Sequence, residues 1–439
     1  MNYVHSHPEV LRTVFVQRII GKGPLPPLYP KFKKAELEVS RGNSKEPFAN
    51  DRKYLWVATH IAWSGWGNVM QDMVMIAQLT YAANRTFVFD DYAWDPDPNP
   101  PAYSKWNGKL IPSRIPLSAL ISGPMVGGPW PQGETADLSI SKTRFDEICP
   151  EPYYIRAEWV NEIHGPGASA QKVIDTWAEY LAKIDRPCVE IARGSGMMIP
   201  PFIFGVKEEL LPVWPTLSHS PVLTMFGWST LAQSAFKTNR HLLLPESQHS
   251  PSESGPPCPE CDYHYYELTG LLAMHVRRGD FLGHCESLGH WSASFNAFNE
   301  FDIFPDPWVA PQGSEDERMD VYRRRCKPTI EQIVEKVEQV RGSDAGKELK
   351  SVYVMTNGDK EWLEELKRAL WARYPGWERI ATSRDMKLTL EEKYVAQAAD
   401  MYIGERAQVF IGNGFSSLTS NVAMLRVSKG FPGGATTMF

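Results

Sequence analysis

The sequence has no stretch of 18 apolar residues; its best run, Val69 to Ala83, is interrupted by Gln71, Asp72 and Gln78, so no membrane-spanning helix is read from it. It has no excess of positive charge. Lys+Arg 46 stand against Asp+Glu 52, a net charge of -6, which lacks the basic footprint that a phosphate backbone demands and argues against nucleic acid as a partner. Cysteine is scarce: six in 439 residues are too few for a disulfide scaffold, although the even count allows pairing. No GxSxG elbow and no HExxH helix occur, so serine hydrolysis and zinc proteolysis have no support. The opening MNYVHSHPEVLRTVFVQRIIGKG lacks an apolar core followed by a small-residue cleavage site; it reads as a cytosolic start or as a sequence whose upstream part is missing.

What the sequence does have is a length that suits two or three domains and two differently built halves. All but three of the 35 prolines lie at or before residue 311, the exceptions being Pro328, Pro375 and Pro432. Residues 1–50 read as an extended N-terminal arm, because the proline-rich stretch 21–50 carries few large apolar residues to bury. Residues 51–245 open with a β-α-β unit. Tyr54 to Ile61 suits a buried strand, Gly67 to Asn84 carries an apolar helical stripe, and Thr86 to Asp90 is a second strand. Helical patterns recur at 170–184 and 221–237, with a short strand-like CVEIA at 188–192 between them. The Pro-, Ser- and Gly-rich segment 245–260 reads as a linker, and residues 246–439 as the second domain. There, strand-like LLAMHV (271–276), SVYVMT (351–356), ERIAT (378–382) and QVFIG (408–412) alternate with helical segments at 328–341, 360–373, 390–401 and 417–427. Such alternation predicts an α/β fold with a doubly wound parallel sheet, whose ligand sits beyond the carboxyl ends of the strands.

Three loops in that position carry chemistry. After LLAMHV comes HVRRGD, His275 to Asp280, where two arginines leave a buried strand with forked, permanently charged donors suited to a diphosphate. An arginine pair can equally bridge to carboxylates such as Asp280. The last strand runs into IGNGFSSLTSNVAML: Gly412 and Gly414 allow positive φ in a tight turn, and Ser416 and Ser417 fall where a helix leaves its first N–H groups unpaired. Serines there are also ordinary helix caps. The GxG lacks the third glycine and the following acid of a dinucleotide fingerprint, which disfavours a nicotinamide enzyme. In SGWGN (64–68), Gly67 lets the backbone approach a ligand and Asn68 presents an amide at a helix start, as ligand contact or as cap. Asp95-Pro96-Asp97 makes a poor metal site, and Cys258-Pro-Glu-Cys261 has no second half for zinc, so no metal is expected.

These segments resemble the GDP-fucose protein O-fucosyltransferases and their relatives. GWGNVMQDMVMIAQLTYAANRTFVF (65–89) is similar to the family's GxGN-helix-NRT-strand opening, AMHVRRGDF (273–281) to its arginine motif, and ADMYIGERAQVFIGNGFSSLTSNVAMLR (399–426) to its C-terminal block. The resemblance implies two Rossmann-like domains facing a cleft, of GT-B type. It also implies inverting transfer of L-fucose from GDP-fucose to a hydroxyl of a protein or glycan acceptor, with no cofactor beyond the donor. By the same resemblance Arg277 holds the β-phosphate as the fucosyl bond breaks, Asn68 works at the reacting end and His275 touches the donor nucleotide. Asp400 holds guanine, and Ser416, Ser417 and Leu418, with Gly67 and Gly414 in their loops, complete the donor site. Leu418 stands where an aromatic is frequent, Asn357 replaces an aspartate of some members and is given no role, and no glutamate lies beside the GN loop to act as base. Relatives work in the lumen of the endoplasmic reticulum or Golgi, where Asn84-Arg85-Thr86 is a glycosylation sequon and Cys285 and Cys326 are candidates to pin the insertion between them. Two rival readings are a transferase using another sugar nucleotide and an inactive nucleotide-sugar-binding protein.

Overall fold

The computed structural model of the chain describes residues 25–61, 64–95, 97, 99–106, 109–129, 139–244, 267–279 and 281–439. The linker segment 245–260 with Cys258 and Cys261, and Asp280 of the arginine motif, lie outside the described residues. The described chain forms two units: one holds the residues up to Ile203 with Pro212–Gln233 and Leu388–Ala398, the other Phe204–Leu211, Ser234–Lys387 and Ala399–Phe439.

The first unit begins with a helix where the sequence suggested an arm. Tyr29–Asn43 (α1) starts with a proline in its first turn, a position that costs no backbone donor. Its buried face is largely polar, which is why counting apolar residues missed it. Glu36 accepts from the backbone N–H and hydroxyl of Ser118 at 2.9 and 2.7 Å, and the Ser40 hydroxyl accepts from Ser141 N–H at 2.9 Å. The sheet consists of Tyr54–Val57 (β1), Thr86–Phe89 (β2), Ser139–Ser141 (β3), Tyr153–Ile155 (β4) and Cys188–Ile191 (β5), in the order β3-β2-β1-β5-β4. All four pairings are parallel. Trp66–Ala82 (α2) crosses from β1 to β2, and its nearly all-round burial suits a helix packed inside an α/β layer. Ala170–Ala182 (α3) precedes β5, and Cys149 is bridged to Cys188 at its first residue. The helical pattern at 221–237 is broken in the structure: a two-residue strand, Gly227–Trp228, separates Pro221–Thr224 from Thr230–Leu243 (α4), whose residues from Ser234 on are counted in the second unit. Ser229 causes the restart, its hydroxyl accepting from Ala232 N–H at 3.1 Å as a cap.

In the second unit Leu268–Val276 (β6), Ser351–Thr356 (β7), Arg379–Thr382 (β8), Ala407–Gly412 (β9) and Thr436–Met438 (β10) form a fully parallel sheet ordered β8-β7-β6-β9-β10. That is the 3-2-1-4-5 order of a doubly wound fold, with its topological switch point between β6 and β9. The intervening helices are Phe281–His290 (α5), Glu315–Cys326 (α6), Ile330–Arg341 (α7), Lys360–Arg373 (α8), Ala396–Arg406 (α9) and Ser417–Ser428 (α10). Leu272, Met274, Val354, Val409 and Ile411 form the buried centre with Ile333 and Leu366 from α7 and α8. Arg426 is fully buried under the sheet edge, where its guanidinium donates to the carbonyls of Gly404, Glu405, Ala407, Gln408 and Ala435.

Candidate functional site

The motif loops after β6 and β9 leave neighbouring strands at the switch point: Met274 pairs with Ile411 in the last register step between the two, β6 running on to Val276 beside β7 and β9 to Gly412 beside β10. A side-chain bond joins them: His275 Nδ1 lies 2.9 Å from Thr419 Oγ1, which also accepts from Asn413 N–H at 3.1 Å. His275 is buried, and burial, aided by the charge of Arg277, pushes its pKa down to about 3, so the ring is neutral.

The two arginines have separate tasks. Arg278 is buried, stacks 4.1 Å from the Trp362 ring centroid and donates to Pro328 O, while burial lowers its pKa to about 10. Its backbone is clamped at both polar atoms by Asn357, whose Oδ1 accepts from Arg278 N–H at 2.7 Å and whose Nδ2 donates to Arg278 O at 2.9 Å. Arg278 is therefore scaffold. Arg277 is half-buried, its guanidinium carbon 5.0 Å from the Phe281 ring centroid. Its backbone leads directly into the residue that Asn357 holds at both polar atoms.

On the other strand, Asn413–Phe415 connects β9 to α10. Ser416 is the N-cap residue, yet its side chain does not cap, and among the described residues the hydroxyls of Ser416 and Ser417 make no hydrogen bond. The first turn of α10 therefore offers hydroxyls and N–H groups at the positive end of a helix dipole, the features that hold phosphate. Ser417 and Leu418 are half-buried. The glycines differ from expectation: neither Gly412 nor Gly414 has positive φ. Close packing requires them instead, since a Cβ on Gly412 would meet Thr419 Cγ2 at 2.1 Å and one on Gly414 the Phe295 ring at 2.4 Å.

Asp400, on α9, is half-buried with both oxygens engaged. Tyr353 Oη donates to it at 2.6 Å and Ser383 Oγ lies 3.1 and 3.0 Å from the two oxygens, while burial pushes its pKa up to about 6. The second unit thus sets His275 near the end of β6 and Arg277 on the loop after it, and Gly414, Ser416, Ser417 and Leu418 after the neighbouring β9, with Asp400 on α9 bonded to Tyr353 of β7 and to Ser383 just past β8. Asn357 and Thr419 are site residues to which the sequence reading gave no role. Asn357 could have been found by the same strand-end rule that found Arg277; Thr419 has no comparable signal.

In the first unit Gly67 and Asn68 are the second and third residues of α2, so Gly65, not Asn68, is the cap. Asn68 is exposed and its Nδ2 donates to Ser64 Oγ at 2.9 Å. Four residues on, Asp72 is buried, accepts from Ile61 N–H at 2.7 Å and has its pKa pushed up to about 7 by burial. Asp72, His60, Asp90 and Asp91 are the polar lining of a partly open apolar cavity beyond β1 and β2. Among the described residues no three His, Cys, Asp or Glu side chains are grouped as a metal ion requires. Asp95 is engaged locally, accepting from Asp97 N–H at 3.0 Å and Ser104 Oγ at 2.6 Å.

A 3-2-1-4-5 parallel sheet with its loops gathered at one switch point defines a Rossmann-like α/β unit. Comparison with known proteins makes this particular. Residues 234–428 match the family described as GDP-fucose protein O-fucosyltransferase, so the resemblance read from the motifs holds over that stretch. No curated protein matches the sequence. Among solved structures, POFUT1 in complex with GDP superposes with a TM-score of 0.53 at 15% identity, over 88% of this chain and 98% of that one. POFUT1 in complex with GDP-fucose gives 0.51 at 14%, over the same shares. At such identity the likeness establishes the fold: two Rossmann-like α/β units of the kind that make up GT-B proteins.

Proposed function

We propose that the protein is a fucosyltransferase that transfers L-fucose from GDP-fucose, with inversion and without a metal ion, to a hydroxyl of a protein or glycan acceptor. The observation that carries this reading is the convergence of Arg277 and the first turn of α10 at one switch point, within the stretch matched by the family. POFUT1, the solved structure reported above, was captured with GDP and with GDP-fucose. When the fucosyl bond breaks, negative charge develops on the departing GDP. A guanidinium held by Asn357 through its neighbour's backbone, and helix N–H groups that need no reorientation, stabilise that charge in the transition state, an effect worth about 3 to 4 kcal/mol for one well-placed donor. His275 stays neutral and acts through Thr419 on the loop geometry. Asp400, holding acceptor sites between Tyr353 and Ser383, suits the donor edge of guanine. Asn68 serves the reacting end, by family resemblance.

The test is Arg277→Ala: transfer from GDP-fucose falls about 100-fold or more while the melting temperature is retained, and normal turnover by the folded variant would remove the assignment. Product NMR of the anomeric proton reports inversion. The same reading puts the protein in the lumen of the endoplasmic reticulum or Golgi, supported by the disulfides Cys149–Cys188 and Cys285–Cys326, since such bonds persist in oxidising compartments.

A further inference from the structure

Between the arginine loop and α7 the chain makes an excursion, residues 281–326, far longer than a strand-to-helix connection needs. Its ends are tied by the Cys285–Cys326 disulfide, and both cysteines are fully buried. The excursion grips the loop between β9 and α10. Asn296 N–H donates to Gly414 O at 2.8 Å, Asn299 Nδ2 donates to the same oxygen at 2.8 Å and reaches Ser416 O at 3.4 Å, and Asn413 Nδ2 returns a bond to Cys326 O at 2.6 Å. Phe295 fills the space a Cβ on Gly414 would occupy, and Phe295, Trp308, Tyr322 and Phe415 pack with ring centroids 4.9 to 5.5 Å apart.

Asn299 has no accessible surface, so it touches no ligand. Its Oδ1 is also buried and, among the described residues, unpartnered. A buried, half-satisfied amide is an unfavourable choice unless its donor half is needed, and that half is spent on loop carbonyls. A trans peptide directs C=O and N–H oppositely. Phe415 N–H, which follows Gly414 O, donates to Asn413 Oδ1 at 3.1 Å, and Ser416 O also accepts from Ser420 N–H at 3.0 Å as the first carbonyl of α10. The bonds from Asn296 and Asn299 therefore fix the peptide before Phe415 and join the helix in fixing the one before Ser417, whose N–H lies opposite Ser416 O in the first turn of α10.

We propose that Asn299 is a positioning residue for diphosphate binding, and that the disulfide-tied excursion is the backing of the phosphate loop. This rests on the assignment of that loop to GDP made above. The test is GDP titration calorimetry on the full chain, far below the melting temperature, comparing wild type with Asn299→Asp, which keeps the shape but loses the donor, and with Cys285→Ser/Cys326→Ser, which releases the tie. GDP affinity falls at least tenfold in Asn299→Asp and measurably in the double variant, and for GDP-fucose KM rises more than kcat falls, a split that loss of folded protein alone does not produce. A folded Asn299→Asp variant within twofold of wild type overturns the proposal. If that variant does not fold, unchanged GDP affinity in the double variant overturns it. If wild type itself binds no GDP, the donor assignment has failed instead; amide exchange at residues 414–418 then decides, faster exchange in either variant supporting the positioning role and unchanged exchange refuting it.

Discussion

Arg85 stands in the Asn-Arg-Thr motif that contributes to the family resemblance, and the structure gives it a task that can be measured. It is 4% exposed, and its guanidinium donates to four backbone carbonyls: Tyr54 and Arg186 at 3.4 and 3.1 Å, Leu181 and Ile184 at 3.2 and 2.9 Å. Two of these belong to the last turn of α3 and the residues just after it, where orphan carbonyls and the negative end of the helix dipole favour a cation. The others lie at the start of β1 and before β5. One side chain thus stitches the central strand to its neighbour and to a helix. Burial lowers its pKa to about 10, so it stays charged at neutral pH. Arg85→Met keeps the volume but leaves four carbonyls without their donor. Hydrogen bonds to charged groups contribute about 1.5 to 3 kcal/mol each, but one guanidinium does not give four independent increments. The expected loss is roughly 3 to 5 kcal/mol, a large share of a typical stability of about 5 to 15 kcal/mol. At about 2 to 4 °C per kcal/mol, the melting temperature falls by roughly 6 to 20 °C. Arg85→Lys, with one compact ammonium, recovers part of the loss. Urea unfolding followed by tryptophan fluorescence measures it. A cost below about 1 kcal/mol for the methionine variant, or a lysine variant equal to wild type, would refute the stitching argument.

Two further outcomes follow from groups described above. Asp72 has its pKa raised from 3.8 to about 7, so the folded chain holds this proton more tightly than the unfolded one; the stability it confers is complete below pH 3.8 and is lost as pH rises toward 7. Asp72→Asn, which keeps an acceptor for Ile61 N–H, removes that slope: the stability difference between variant and wild type shifts toward the variant by up to about 4 kcal/mol between pH 4 and 8, and parallel curves would contradict it. For the compartment, thiol titration of protein purified and denatured without reductant finds Cys149, Cys188, Cys285 and Cys326 blocked; free thiols at these positions would count against an oxidising lumen.

Much of the fold was legible because its strands are continuous apolar runs. SVYVMT coincides with β7, and the patterns at 360–373 and 417–427 match α8 and α10 to within a residue. Hidden parts followed other physics. α1 buries Glu36 and Ser40 through hydrogen bonds to distant segments, which no hydrophobic pattern announces. The break at Gly227–Trp228 depends on a hydroxyl cap that counts as one more polar residue in a periodic stretch. At the candidate site, strand-end position was what pointed to Arg277 and Ser416, and the structure puts both just beyond strand ends. The division of labour between Arg277 and Arg278 was not legible, because it turns on where Asn357 and Trp362 lie in space. Glycine was read as a conformational device at Gly412 and Gly414, whereas side chains from elsewhere press on both.

The sheet orders carry a consequence for biosynthesis. Tyr54 pairs with Cys188, 134 residues later, and Leu272 with Val409, 137 residues later, so each central strand emerges from the ribosome long before its second neighbour exists. At about 5 to 20 residues per second, YLWV waits roughly 7 to 27 s as an unpaired, sticky edge. Closure of such distant pairs is slow in any case. Until then the nascent chain presents an unpaired strand edge of the kind that pairs with other chains, so destabilising substitutions in β1 or β5 are expected to act first on yield, through aggregation, and only then on the finished molecule.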